Sequence, residues 1–178
     1  NGGLHGWSDQ DIVDLLKTGP SSKGPAFGPM ADVVASSTQH MTGDDLHAVA
    51  TYLASLPPRP QPQQGMQPYN AAALVKQGEK VYGQHCADCH GKDGNGVAGI
   101  YPALNGNSSV TEPSGINATR AILLGGFAPL TAANPRPYSM PPFAQQLSDA
   151  DVAAVVSYIR HAWNNNAPVV LERDVSRY

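Results

Sequence analysis

The sequence predicts an all-α protein whose helices are separated by long, shaped loops. Three observations predict this. Apolar residues recur at helical spacing in several capped segments. No segment shows convincing strand-like alternation. Eighteen glycines and sixteen prolines in 178 residues punctuate the helices with turns.

The first helix is expected from Ser8 to Lys17. Ser8 and Asp11 form a capping box, Ile12, Leu15 and Leu16 share one face, and Gly19-Pro20 ends the segment. A second helix begins at Thr42, with Asp45 three residues on and Leu46, Val49, Ala50 and Leu53 along one face. Residues 57–69 (PPRPQPQQGMQPY) favour polyproline II and cannot build a core, so they read as a semi-rigid linker at a domain boundary. A third helix is expected from about Ala71 to Gln84, and a short one near Asn117 to Leu124. The last starts at Ser148, capped with Asp151, and buries Val152, Val155, Val156, Ile159 and Trp163. Gly78 and Tyr82 are expected to meet Tyr158 as packing. Residues 164–178 lack a helical period and are expected to form an extended arm on a partner or neighbouring domain.

An internal repeat relates the two outer segments. DIVDLLKTG, ending at Gly19, corresponds to NATRAILLG, ending at Gly125, at an offset of 106 residues. MTGDDLHAVATYLASL from Met41 corresponds to LSDADVAAVVSYIRHA from Leu147 at the same offset. Met30 and Met140 lie between these anchors, 110 residues apart, so the loops around them differ while their summed length is the same. The chain therefore reads as the second half of one domain (1–56), a linker (57–69), one complete domain of the same kind (70–163) and a tail.

Composition excludes several roles. A net charge of −3 argues against nucleic acid, whose phosphates are bound by clustered Lys and Arg. No stretch approaches the roughly 18 to 20 apolar residues needed to cross a bilayer. The chain starts at Asn1 without a signal peptide, inside what reads as existing structure, so an upstream part carrying the targeting information is expected.

Both cysteines fall in one motif, Cys86-Ala87-Asp88-Cys89-His90. A disulfide closing so short a loop would remove little chain entropy, so the pair is there for chemistry. This spacing is the signature of c-type haem attachment. Two thiols three positions apart at a helix end reach the two vinyl groups on one porphyrin edge, and the next residue, a histidine, offers its imidazole to the iron. A structural zinc site would need four ligands, and no second cysteine pair exists. A thioredoxin-like pair would sit in a βαβ context, and none is visible.

The sixth iron ligand is expected to be Met140, in the proline-stiffened run YSMPPF just ahead of the last helix. The competing reading is a gap-filling core methionine, for which a proline-stiffened loop is a poor setting. His161, within the last helix, and His85, too close to the motif to reach the far face, are disfavoured on geometry. An iron-bound histidine usually hands its other N–H to a carbonyl. Pro102, after the Gly91–Gly99 loop, is placed to supply one, unless it is only a turn proline. Two uses of such a haem differ in kind. An electron carrier needs six-coordinate iron. A peroxidase-like enzyme needs a labile sixth position and a distal acid or base. The Ser139–Phe143 loop offers no His or Arg for that work, although Arg136 is nearby.

These residues resemble class I cytochromes c: a first helix with Gly78 and Tyr82, then CADCH, YPALNGN, the YSMPPF loop, and a last helix with Tyr158. More specifically, nearly the whole chain resembles the C-terminal part of multihaem cytochrome c subunits of bacterial membrane-associated dehydrogenases. These include the alcohol, gluconate and sugar dehydrogenases and some molybdenum hydroxylases. GWSDQDIVDLLKTG, AFGPMADVVASSTQHMT and DLHAVATYLASLP look like the ligand half of the preceding haem domain in that group. The resemblance implies a periplasmic, peripherally membrane-associated subunit with covalent haem c. It would take electrons from a dehydrogenase catalytic subunit and pass them towards quinone or a redox-protein acceptor. It also implies Met30 as an axial ligand of the preceding domain. Residues 1–56 depart from that pattern in having no CxxCH, so Met30 serves a second haem only if an upstream half supplies one. His5 and His40 are expected at the surface.

Overall fold

The computed structural model describes residue 4, residues 6–57 and residues 68–178. The expected linker therefore lies almost wholly outside the described residues, and His5 does as well. The chain divides into two compact units, Asn1–Pro62 with Phe127–Ser139, and Gln63–Gly126 with Met140–Tyr178.

The first unit holds α1 (Asp9–Thr18), β1 (Pro20–Ser21), β2 (Gly24–Pro25), α2 (Pro29–Ser36), a 3₁₀ turn (Thr38–His40) and α3 (Gly43–Ser55). The Ser8 hydroxyl accepts from the Asp11 amide at 3.1 Å, and the Asp11 carboxylate accepts from the Ser8 amide at 2.8 Å. Two otherwise orphaned donors are thus satisfied at the start of α1. Thr42 does the same for the Asp45 amide at the start of α3. One face of each helix then meets the other, burying Ile12, Val13, Leu16, Leu46 and Ala50. Sequence periodicity did not anticipate α2. Pro29 opens it at a position where no N–H is needed, and Ala31 and Val34 are its buried residues.

The second unit contains α4 (Ala71–His85), α5 (Ala87–His90), α6 (Ser108–Thr111), α7 (Ile116–Leu124), α8 (Asp149–His161) and α9 (Glu172–Val175). Two more short strands, β3 (Gly126–Phe127) and β4 (Ser139–Met140), pair as a second two-stranded ladder. Helices α4 and α8 cross tightly at Gly78, where an added Cβ would lie 2.0 Å from the Ala154 carbonyl oxygen. Tyr82 and Tyr158 meet beside this crossing with tilted rings, centroids 5.3 Å apart, as the sequence led one to expect. Helices α3 and α8 are both 13 residues long, with both ends displaced by the 106 residues of the sequence repeat.

Three features were not anticipated. Residues 127–139, inside the expected 70–163 domain, pack with the first unit. Pro129 occupies the space a side chain at Gly19 would fill, Thr131 Oγ1 donates to Thr18 O at 3.2 Å, and Gln39 Nε2 donates to Leu130 O at 3.1 Å. Second, residues 164–178 are not an extended arm. The tail turns back onto α8, where Val170 N donates to Ser157 Oγ at 2.9 Å and Arg160 Nε donates to Pro168 O at 2.9 Å, and it closes with α9. Third, Trp163 is not on the stripe of the last helix. That helix ends at His161, and Trp163 follows in a left-handed conformation with φ 57°.

Candidate haem-attachment site

Helix α4 ends at Cys86, and the chain immediately re-enters a single helical turn, α5, through Cys89 and His90. The Cys86 carbonyl accepts from the Cys89 amide at 3.2 Å and from the His90 amide at 2.9 Å. Residues three apart on a helical turn share a face, so both cysteine side chains project to one side. Both thiols are free, Cys86 half-buried and Cys89 exposed. Burial pushes the Cys86 thiol up to about 11, with the neighbouring Cys89 adding to it.

His90 Nδ1 lies 3.0 Å from the Pro102 carbonyl oxygen. A carbonyl only accepts, so Nδ1 carries the proton and Nε2 keeps its lone pair. Burial lowers the pKa of His90, opposed by the bond to Pro102, and the neutral imidazole is favoured. A neutral ring with an oriented Nε2 lone pair is the form that ligates a metal. Gly96 allows the approach of that carbonyl, because a Cβ there would lie 2.3 Å from Tyr101 O and 2.7 Å from Pro102 O.

Met140 lies on β4, half-buried, against the same hydrophobic cluster as Cys86, Ala87 and Leu104. Its loop is pinned to the end of α7. The Phe143 amide donates to Ile122 O at 2.9 Å, and Gly125 lets the Met140–Pro142 backbone come close. A Cβ on Gly125 would lie 2.5 Å from Met140 O. His161 is exposed on α8, and His85 lies edge-on to Phe143 at the end of α4. Met30 belongs to the first unit, exposed on the first turn of α2, in a unit that contains no cysteine. His40 is exposed as expected. No group of three or more His, Cys, Asp or Glu side chains among the described residues is arranged to hold a metal ion.

The donor set therefore suits haem c: two free cysteines on one face of a helical turn, a neutral imidazole beside them, and a thioether packed on the same core. Sequence reasoning missed the supports behind this set. Gly94, Gly96, Trp163 and Asn165 hold the loop that carries Pro102, and the run WNNN at 163–166 was the only hint of the last two.

The fold and the site define a c-type cytochrome, and the cytochrome c family pattern matches residues 75–163. The chain belongs to the cytochrome c family, whose domain carries covalently attached haem c. It is similar to the cytochrome c subunit of the quinone alcohol dehydrogenase of Gluconobacter oxydans, 41% identical over 173 residues, covering 93% of this chain and 36% of that protein. It is also similar to the gluconate 2-dehydrogenase cytochrome c subunit of Pantoea cypripedii, 35% identical over 183 residues, covering 98% of this chain and 42% of the relative. Cytochrome c-554(548) of Halomonas halodenitrificans is 43% identical over 74 residues, covering 41% of this chain and 78% of its own length. The chain thus spans about two fifths of the length of these dehydrogenase relatives.

Proposed function

We propose that this chain is an electron-transfer cytochrome c that takes single electrons from a dehydrogenase catalytic subunit and passes them towards quinone or a redox-protein acceptor. The observation that carries the reading is the hydrogen bond from His90 Nδ1 to Pro102 O, which leaves Nε2 as an iron ligand of fixed orientation. Cys86 and Cys89 would hold the haem through thioethers, His90 and Met140 would ligate its iron, and the haem would supply one-electron redox chemistry. The chain's own side chains then perform no bond chemistry. They fix both ligands so that little reorganises when an electron arrives. A thioether favours the reduced iron and so raises the potential.

The relatives' names support a dehydrogenase partner, and one of them a quinone. The site of action would be the periplasm, where haem c is assembled on the chain, with the protein held peripherally. No helix among the described residues is long and apolar enough to cross a membrane. Residues 1–56 would be the ligand-loop half of a preceding domain, with Met30 a ligand only where a second haem is present. Haem per chain, from a haemochrome assay and intact mass together, tests that assignment.

The decisive variant is Met140→Ala. The parent protein should change spectrum with dithionite yet resist carbon monoxide, while the variant should bind it readily. Equal, rapid binding by both proteins would replace the carrier with an open-site haem enzyme.

A further inference from the structure

Trp163 is the only non-glycine residue with positive φ among the described residues, at 57°. A bulky side chain in that region is disfavoured and persists only where its surroundings over-determine it. Here the surroundings are the loop next to His90. Trp163 Nε1 donates to Lys92 O at 3.1 Å, and its ring lies against the face of Gly94, where a Cβ would come within 2.5 Å of the ring. Tyr82 and Tyr158 meet the ring edge-on with centroids at 5.4 and 5.8 Å. Tyr82 in turn donates through its hydroxyl to Gly91 O at 2.6 Å.

Two residues on, buried Asn165 completes the grip. Its Oδ1 accepts from Gly106 N at 2.8 Å, and its Nδ2 donates to Leu104 O at 2.9 Å and to Ile159 O at 2.6 Å. The gripped loop is closed on itself, because Gly94 O accepts from Leu104 N at 2.7 Å and Asn105 N at 3.0 Å. Between those clamped points lies Pro102, the residue whose carbonyl accepts from His90 Nδ1. Each of these contacts lies within the second unit.

We infer that Trp163 and Asn165 are positioning residues for the iron-binding histidine, locking the 92–106 loop so that the Pro102 carbonyl stays on His90 Nδ1. Hydrogen bonding at Nδ1 makes the ring a stronger donor to the metal, and outer hydrogen bonding is one of the protein's means of setting the potential of a haem. A stronger donor favours ferric iron, so the clamp holds the potential lower than the ligand pair alone would set it. The inference rests on His90 being the iron ligand.

The test uses the haem-loaded chain as parent, Trp163→Phe and Asn165→Ala. Trp163→Phe keeps a ring beside Tyr82 and Tyr158 while removing the bond to Lys92 and thinning the packing on Gly94. The readouts are the solvent-exchange rate of the iron-shifted His90 Nδ1 proton by NMR, the midpoint potential, and the absorption band from the Met140 sulfur on ferric iron. Both variants should exchange that proton about ten-fold faster, the change expected when one neutral hydrogen bond is loosened. Their potentials should move positive while the sulfur band persists. Should Asn165→Ala fail to fold, Trp163→Phe decides alone. Folded variants with parental exchange and potential overturn the clamp. A parent with no iron-shifted His90 proton sinks instead the ligand assignment on which the clamp depends.

Discussion

At the scale of single residues, much of the site is decided by which atoms are denied a choice. The Pro102 carbonyl forces the proton of His90 onto Nδ1, and burial keeps the ring neutral. Gly125 has φ 62° and leaves no room for a Cβ between itself and the Met140–Pro142 backbone. Gly125→Ala should therefore push the Met140 loop off the end of α7. Overpacking of this kind costs about 1–3 kcal/mol, with left-handed strain added. Denaturant titration of the haem-loaded variant should show that loss together with faster carbon monoxide binding. A stable variant that still excludes carbon monoxide would mean that the loop seats itself without Gly125. The attachment residues were legible in the sequence because Cys86, Cys89 and His90 fall within five consecutive residues and their spacing is dictated by the porphyrin edge. The Pro102 carbonyl could be placed because it follows the Gly91–Gly99 loop, and it lies on His90 Nδ1; Met140 is proposed from its proline-stiffened loop. Asn165 was not, since its partners Leu104 and Gly106 lie 61 and 59 residues away and no local pattern announces such a contact.

At the scale of elements, three helices start on the same device, a hydroxyl residue followed three positions later by aspartate: Ser8 with Asp11, Thr42 with Asp45, and Ser148 with Asp151. These starts could be read directly, because capping chemistry is local. The end of α8 could not. Apolar spacing runs on through Trp163, and nothing between Ile159 and Trp163 is a strong breaker, so only tertiary contacts turn the chain there. Helix α2 was hidden for the opposite reason, its eight residues being too short to display a period. Ser148→Ala should cost α8 about 1 kcal/mol. Its pH dependence has a definite sign. The Ser148 hydroxyl, then the Gln77 amide, hold the Asp151 carboxyl below its usual value. A depressed folded value gives stability that is full above the unfolded value of roughly 3.9 and is lost as pH falls through the folded one. The gap in melting temperature between parent and Ser148→Ala should thus be widest near neutrality and narrow below about pH 4. A gap that stays constant down to about pH 2 would show that the carboxylate plays no part in the cap.

At the scale of the whole chain, two separate hydrophobic clusters divide the work, a small one built on α1 and α3 and a larger one built on α4, α7 and α8. The larger one includes the tail that sequence alone read as an arm, because residues 164–178 have no helical period and bury their side chains singly. Ala167, Val170 and Val175 are buried, and Val170 and Val175 belong to the main cluster. The tail also serves Arg160, which is fully buried with no carboxylate bonded to it among the described residues, Glu112 acting on it only through space. Its guanidinium donates to three backbone carbonyls, Val110 O at 2.6 Å, Pro168 O at 2.9 Å and Pro113 O at 3.4 Å. Burying a cation is tolerable only while such bonds are made, and removing the tail takes one of them away. Deleting residues 164–178 should therefore cost more than its apolar contacts. Two buried valines contribute about 3 kcal/mol or more, and an unsatisfied donor on a charged group adds about 1–3 kcal/mol. Denaturant unfolding of the haem-loaded chain, followed in the haem absorption, should show the truncated protein losing at least about 4 kcal/mol. Arg160→Met in the truncated background should recover part of it, since no buried charge is then left short of a partner. If truncation leaves the midpoint unchanged and weakens only binding to a dehydrogenase subunit, the tail acts as an arm after all and Arg160 finds its carbonyls elsewhere.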